Sequence, residues 1–121
     1  MDIIISNTSE KPIYQQLFDQ ISAQIIKGDL AGNEILPSIR NVAKELRISV
    51  ITVKKAWEDL ERRGLIYTVI GKGSFVADLD SHELLIKRDQ LVSNTLKRDI
   101  AHYKGMGLTL EELTDLFKKH Y

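Results

Sequence analysis

Basic side chains are concentrated in one part of a chain that carries no net charge. The whole sequence has 17 lysine and arginine residues and 17 aspartate and glutamate residues. Between positions 37 and 55, however, a single acid, Glu45, stands among Arg40, Lys44, Arg47, Lys54 and Lys55. The acids Glu58, Asp59 and Glu61 come later along the chain. Because nucleic-acid phosphates are contacted mainly by lysine and arginine, this local cluster is typical of a surface that faces a polyanion.

Two short helices joined by a turn are expected to position this cluster. Ser38 is the expected N-cap of the first helix, whose inner face is formed by Ile39, Val42, Ala43 and Leu46. Ser49 is the expected N-cap of the second helix, which Gly64 ends and whose apolar stripe is Val53, Ala56, Trp57 and Leu60. This arrangement predicts a helix-turn-helix, whose second helix can enter the DNA major groove.

A β-hairpin is predicted directly after these helices. The β-branched and aromatic runs "LIYTVI" and "SFVA" flank the turn "GKG". Gly71 and Gly73 permit positive φ angles and a close approach at the tip, and Lys72 between them supplies a cation. Such a hairpin can act as a wing that lies against the neighbouring DNA backbone or minor groove.

A further helix precedes the helix-turn-helix and completes the first predicted domain. It begins near Pro12 and ends at Gly28, and its apolar stripe is Tyr14, Leu17, Ile21 and Ile25. The predicted fold class is therefore mostly α with a small β-hairpin, a winged helix-turn-helix followed by a short C-terminal two-helix segment. We assign residues 1–78 to a DNA-binding domain and residues 79–121 to a helical dimerisation region.

The C-terminal segment carries an apolar face that the core of the first domain does not require. The chain is expected to be helical from Ser81 to about Tyr103, and a capping box of Thr109 and Glu112 begins a last helix. One face holds Leu85, Val92, Leu96, Ile100 and Tyr103, flanked by Leu84 and Leu91. The face could pack on its own winged domain or form a homodimer interface. Dimerisation is favoured because the winged domain has enough apolar stripes to build its own core.

Several other functions find no support in the sequence. There is no cysteine, which excludes disulfides and thiolate metal sites. His82, His102 and His120 lie far apart without metal-ligand spacing or a nucleophile, and no phosphate-loop or dinucleotide pattern is present. We therefore expect neither an enzyme nor a cofactor. No apolar run approaches the roughly 18 residues of a membrane span, and we expect a cytoplasmic protein.

Individual features also have ordinary structural interpretations. Ser49 is a helix cap first and a phosphate contact second, Trp57 is more often a core residue than a stacking platform, and "GKG" alone is commonly just a hairpin tip. A winged helix can also serve as a protein-interaction module without DNA binding. The basic helix start together with Lys72 favours DNA, because an interaction module has no need for that cluster.

The stretch "LPSIRNVAKELRISVITVKKAWEDLERRGLIYTVIGKGSFVA" resembles the GntR family of bacterial transcription regulators. The resemblance extends upstream through "PIYQQLFDQISAQIIKG", and the short tail after the wing is similar to that of the YtrA subfamily. It implies a regulator, more commonly a repressor, whose two tail helices serve mainly for dimerisation and which often controls ABC transporter genes. A homodimer is expected to bind an inverted-repeat operator, because helix-turn-helix proteins usually pair over a palindrome. The tail could also form a small effector pocket at the dimer interface, but the sequence names no ligand.

The resemblance also implies DNA contacts by position, at Arg40, Ser49, Thr52, Lys54, Gly71 and Lys72. Together with the charge pattern, the full predicted DNA-binding set is Ser38, Arg40, Ser49, Thr52, Lys54, Lys55, Gly71, Lys72 and Gly73. Val50 and Ile51 depart from the polar or basic residues that relatives often carry after the turn serine. Their side chains could contact thymine methyl groups, or they could leave phosphate contacts dominant.

Overall fold

Five helices and one antiparallel hairpin make up the fold in the computed structural model, which describes residues 1–121. In chain order the elements are α1 (Ile13–Lys27), α2 (Ile39–Leu46), α3 (Val50–Arg62), β1 (Ile66–Val69), β2 (Gly73–Val76), α4 (Ser81–Gly105) and α5 (Leu110–His120). The predicted fold class is confirmed. The chain divides into two compact units, Met1–Leu84 and Leu85–Tyr121.

Helix α3 lies at the centre of the core of the first unit. This helix packs against α1, α2 and β1. The apolar stripes expected from the sequence point inward, and Leu17, Ile21, Val53 and Leu60 are 0% exposed. Trp57 is 4% exposed and belongs to this core, so its ordinary interpretation is confirmed.

Local hydrogen bonds set the ends of the two short helices. The Ser38 Oγ accepts a hydrogen bond from the Asn41 N–H at 3.1 Å, and the Ser49 Oγ accepts one from the Thr52 N–H at 3.1 Å. Both predicted N-caps are therefore present. Between them α2 ends at Arg47 in the left-handed region, and the Ile48 N–H donates to the Ala43 carbonyl at 3.0 Å. These bonds end α2 and begin α3 within a turn of a few residues.

The hairpin is joined by a third extended segment that the sequence did not predict. Strands β1 and β2 pair from Ile66 with Val76 to Val69 with Gly73. On the other edge of β2, Ile35 forms an isolated bridge with Phe75. The Leu36 N–H donates to the Ser74 carbonyl at 2.9 Å, so the residues that lead into α2 are hydrogen-bonded to the wing.

The helix α4 begins at a carboxylate cap. The Asp80 Oδ1 accepts a hydrogen bond from the Glu83 N–H at 2.8 Å, and this bond lowers the pKa of the Asp80 carboxyl. None of the five helices combines the length and the apolar composition that a membrane-spanning helix requires.

The second unit consists of the rest of α4 together with α5, and it has no buried residue. Gly107 adopts a φ of 86° between the helices, and the predicted capping box of Thr109 and Glu112 opens α5. The apolar residues of both helices are exposed or half-buried in the single chain.

Candidate nucleic-acid interface

The first turn of α3 presents both hydroxyl and apolar groups to solvent. Ser49 is exposed and Thr52 is half-buried, and their hydroxyl oxygens lie 2.7 Å apart. The Ser49 hydroxyl therefore serves the helix first, as expected, and keeps only part of its hydrogen-bonding capacity for another partner. Val50 is 46% exposed and Ile51 is 80% exposed.

The two lysines of α3 are held in different ways. The Lys55 Nζ lies 3.8 Å from the centroid of the Tyr14 ring, which is a cation–π contact to α1. The Lys54 Nζ lies 4.0 Å from the Glu58 Oε1, with both side chains largely exposed. Such an exposed pair contributes little and is readily exchanged for another anion. The contact of Lys55 with Tyr14 is not visible in the sequence pattern, because it depends on the packing of α3 on α1. The Lys54–Glu58 pair, by contrast, has the i,i+4 spacing that brings side chains together on one helix.

The cations of α2 and its turn have no acidic partner. No carboxylate lies within salt-bridge distance of Arg40, Lys44 or Arg47, and all three are exposed. Arg47 has a φ of 56°, where a residue with a Cβ costs roughly 1–2 kcal/mol relative to the right-handed region. This strained arginine is absent from the predicted site residues. Its sequence signals are its place in the basic cluster and the presence of a cation at the helix end, where glycine is common.

The wing tip is a tight turn closed by a hydrogen bond from the Lys72 N–H to the Val69 carbonyl at 2.9 Å. Gly71 and Gly73 have φ angles of 80° and 123°. Both glycines therefore adopt the positive φ angles that the sequence predicted for the tip. A Cβ on Gly71 would meet no atom within 4 Å. The exposed Lys72 has no carboxylate within salt-bridge distance. Ile70 at the tip is 98% exposed and was not among the predicted site residues.

All the predicted DNA-binding residues lie in the first unit, on elements that pack against or hydrogen-bond to one another. Helix α3 packs on α2 and on β1, and the segment before Ser38 is hydrogen-bonded to β2. The helix caps, the α2 cations, the α3 start and the wing therefore share one scaffold. All the predicted side chains and glycines are exposed except the half-buried Thr52.

The predicted dimerisation residues lie along α4. Leu84 and Leu91 are half-buried, while Leu85, Val92, Leu96, Ile100 and Tyr103 are between 39% and 52% exposed. Sequence reasoning missed the apolar residues of α5. Leu110, Leu116 and Phe117 are 82%, 42% and 64% exposed.

Comparison with known proteins places this geometry in a family. The family model described as bacterial regulatory proteins of the gntR family matches residues 13–76. The HTH-type transcriptional repressor YtrA of Bacillus subtilis is 33% identical over 97% of this chain and 90% of its own length. A structure described as a transcriptional antiterminator from Listeria monocytogenes is 32% identical and superimposes with a TM-score of 0.74, covering 99% of this chain and 90% of the other.

Similar structures include complexes with operator DNA. The DNA-binding domain of AraR in complex with operator ORX1 is 29% identical and has a TM-score of 0.56. It covers 64% of this chain and 96% of the AraR domain. The family model and the Bacillus subtilis relative are named for transcription regulation, and neither is named as an enzyme.

Proposed function

The chain belongs to the GntR family of DNA-binding transcription regulators, and within it to the YtrA subfamily, and on that premise we propose that it is a repressor that binds an inverted-repeat operator as a homodimer. The observation that carries this proposal is the exposed start of α3 in the same folded unit as the cations of α2 and the wing, which have no carboxylate within salt-bridge distance. These groups share one scaffold, and a similar domain is described in complex with an operator.

Each part of the proposed interface has a distinct role. The first turn of α3 enters the major groove, where base edges can be distinguished. Arg40, Lys54 and Lys72 lie on three different elements and bind phosphates or base edges along the duplex. The amides and glycines of the wing allow it to approach the backbone closely.

The homodimer is supported by the exposure of the tail. The two helices of Leu85–Tyr121 bury none of their apolar side chains within the chain. Most helical stability in proteins comes from the packing of an amphipathic face, so this unit is expected to need a partner surface. A second copy provides one with the same apolar character, and two-fold pairing suits an inverted repeat. The dimer interface then includes the predicted α4 residues and also Leu110, Leu116 and Phe117.

The proposal that the protein represses transcription rests on its similarity to named repressors. YtrA of Bacillus subtilis is named as a repressor, and repression is proposed here on that likeness. The proposed targets are genes of an ABC transporter, which rests on the subfamily resemblance alone. A regulator of DNA acts in the cytoplasm of a bacterial cell, and this is the proposed location.

Selection of bound duplexes from a random DNA pool tests the proposal. We expect enrichment of an inverted repeat whose half-site centres lie about one DNA turn, roughly 10–10.5 base pairs, apart. A single unrepeated half-site would contradict the dimer. Failure to retain any duplex at low ionic strength would contradict DNA binding and favour a winged-helix protein-interaction module.

Arg40 offers a sharper test once a site is selected. If its guanidinium reads a base edge, Arg40→Ala should weaken specific binding by about 1–3 kcal/mol. Lys27→Ala is the control, because Lys27 is an exposed cation at the far end of α1, paired with Asp29 at 3.6 Å. Equal binding of the parent and Arg40→Ala proteins would reject the role assigned to Arg40.

A further inference from the structure

An isoleucine interrupts the polar surface at the start of α3. Ile51 is 80% exposed, although it stands two residues after the N-cap Ser49 and within one turn of Lys54 and Lys55. Single exposed apolar residues are common on protein surfaces and need no explanation by themselves. This one, however, occupies the turn of a recognition helix from which side chains reach base edges.

The position of Ile51 on the helix directs it away from the protein. The buried residues of α3 are Val53, Ala56, Trp57 and Leu60. At about 100° per residue, position 51 falls almost opposite the centre of that stripe. Val50, by contrast, lies closer to the buried stripe and is 46% exposed. Ile51 therefore projects furthest from the core among the apolar residues of this helix.

We propose that Ile51 is a specificity-determining residue that contacts the 5-methyl group of a thymine in the major groove. The inference rests on the proposed function and adds the identity of one base that the protein reads. It also chooses between the two possibilities that the sequence left open at Val50 and Ile51.

The chemistry of the groove explains why thymine is selected. Thymine alone presents a methyl group there, next to its O4 acceptor, whereas the edges of guanine, adenine and cytosine present hydrogen-bonding groups. An isoleucine side chain placed against those groups would remove them from water without supplying a partner. Ile51 thus favours thymine through apolar contact and disfavours the other bases through unsatisfied polar groups.

Replacing thymine by deoxyuridine in the selected duplex removes only the methyl group. The two thymines at equivalent positions of the two half-sites are replaced together, one such pair of positions at a time. Binding of the full chain to each duplex is measured for the parent and the Ile51→Ala proteins. At one such pair of positions the affinity of the parent protein should fall about fourfold for each methyl group removed, and roughly 16-fold when both half-sites are changed. This is the loss expected for one buried methyl-sized contact per half-site. With Ile51→Ala the same replacement should change binding by less than about twofold, because the partner of the methyl is already gone.

Ile70→Ala is the matched control, because Ile70 is an exposed isoleucine of the same unit that lies on the wing. This variant should keep the full sensitivity to deoxyuridine at the position that Ile51 reads. An unchanged melting temperature for both variants shows that the fold is intact, as expected for side chains that are 80% and 98% exposed.

The possible outcomes separate the inference from the proposed function. If the parent binds a selected site but no thymine shows a loss that depends on Ile51, the thymine contact is wrong and DNA binding stands. The same conclusion follows if the selected site has no preferred thymine. If the parent binds no duplex at all, the proposed function fails, and the thymine contact fails with it.

Discussion

The two units of this chain place their apolar residues in opposite ways. Every buried apolar residue lies in Met1–Leu84, where α1, α3 and the hairpin close around one core. In Leu85–Tyr121 the leucines, Ile100 and Phe117 are exposed or half-buried. Both units have amphipathic helices, so amphipathicity alone does not tell whether a helix packs within its own chain.

An apolar face can serve two different purposes in such a chain. A face that finds partners within the chain stabilises a rigid scaffold, and that scaffold holds the cations and the α3 start in place. A face that finds none is available to a second chain. The winged unit is therefore assigned to recognition and the tail to pairing.

The largest effect is expected from a charge on the exposed face of the tail. Leu96→Asp should convert dimers into single chains, because a carboxylate buried in an apolar interface has no partner. Affinity for an inverted repeat should then fall by about 10²–10⁴-fold, since the two half-sites are no longer bound together. Light scattering measures the mass, and gel shifts measure the affinity.

Asn94→Asp is the control for this change, because it adds the same charge to the opposite face of α4. It should leave both the mass and the affinity unchanged. A Leu96→Asp protein that remains dimeric and binds DNA normally would refute the role assigned to the α4 face.

A substitution in the core of the winged unit should act on stability. Leu60 is 0% exposed, and Leu60→Ala should lower the free energy of unfolding by about 2–5 kcal/mol. The single tryptophan, Trp57, lies in the same core and reports unfolding by its fluorescence in urea at fixed protein concentration.

Ile4→Ala provides the comparison within the same unit, because Ile4 is 81% exposed. Its effect should stay within about 0.5 kcal/mol. Equal unfolding midpoints for the Leu60→Ala and parent proteins would show that the packing around α3 is not what holds the unit together.

The wing lysine should have a smaller effect that does not depend on sequence. Lys72→Ala should weaken binding to selected and scrambled duplexes alike and reduce the slope of log affinity against log salt by about one unit, as for the loss of one phosphate contact. Lys27→Ala should leave the slope unchanged. An unaltered slope for Lys72→Ala would remove the wing from the interface.

The smallest effect concerns the strained turn between α2 and α3. Arg47→Gly should raise the free energy of unfolding by up to about 1 kcal/mol, because relief of the left-handed strain is partly offset by the flexibility of glycine. The same change should weaken DNA binding through the lost cation. Arg47→Lys keeps both the Cβ and the charge and should alter neither property. A destabilised Arg47→Gly protein would show that the arginine side chain supports the turn.

The sequence could predict the elements because their signals are local. Ser38, Ser49 and Thr109 cap the helices that follow them, and Gly71 and Gly73 adopt the positive φ angles that the hairpin needs. Each of these features depends on residues a few positions apart. Helix stripes are equally local, which is why the fold class was predictable.

Contacts between distant segments escaped prediction. The bridge between Ile35 and Phe75 joins residues that are far apart in the chain, and no sequence pattern around Ile35 predicts a strand. The contact of Lys55 with Tyr14 requires the packing of α3 on α1. The exposure of Ile70 depends on the register of the hairpin. The predicted site residues themselves, from Ser38 to Gly73, remain predictions until DNA binding is measured.

Sedimentation equilibrium of the full chain, alone and with a duplex that holds one complete selected repeat, tests the central claim most directly. The claim is that the tail delivers two winged units to one operator. We expect the mass of two chains without DNA and two chains per duplex in the complex. A single chain in solution, together with one chain per duplex at saturation, would contradict it.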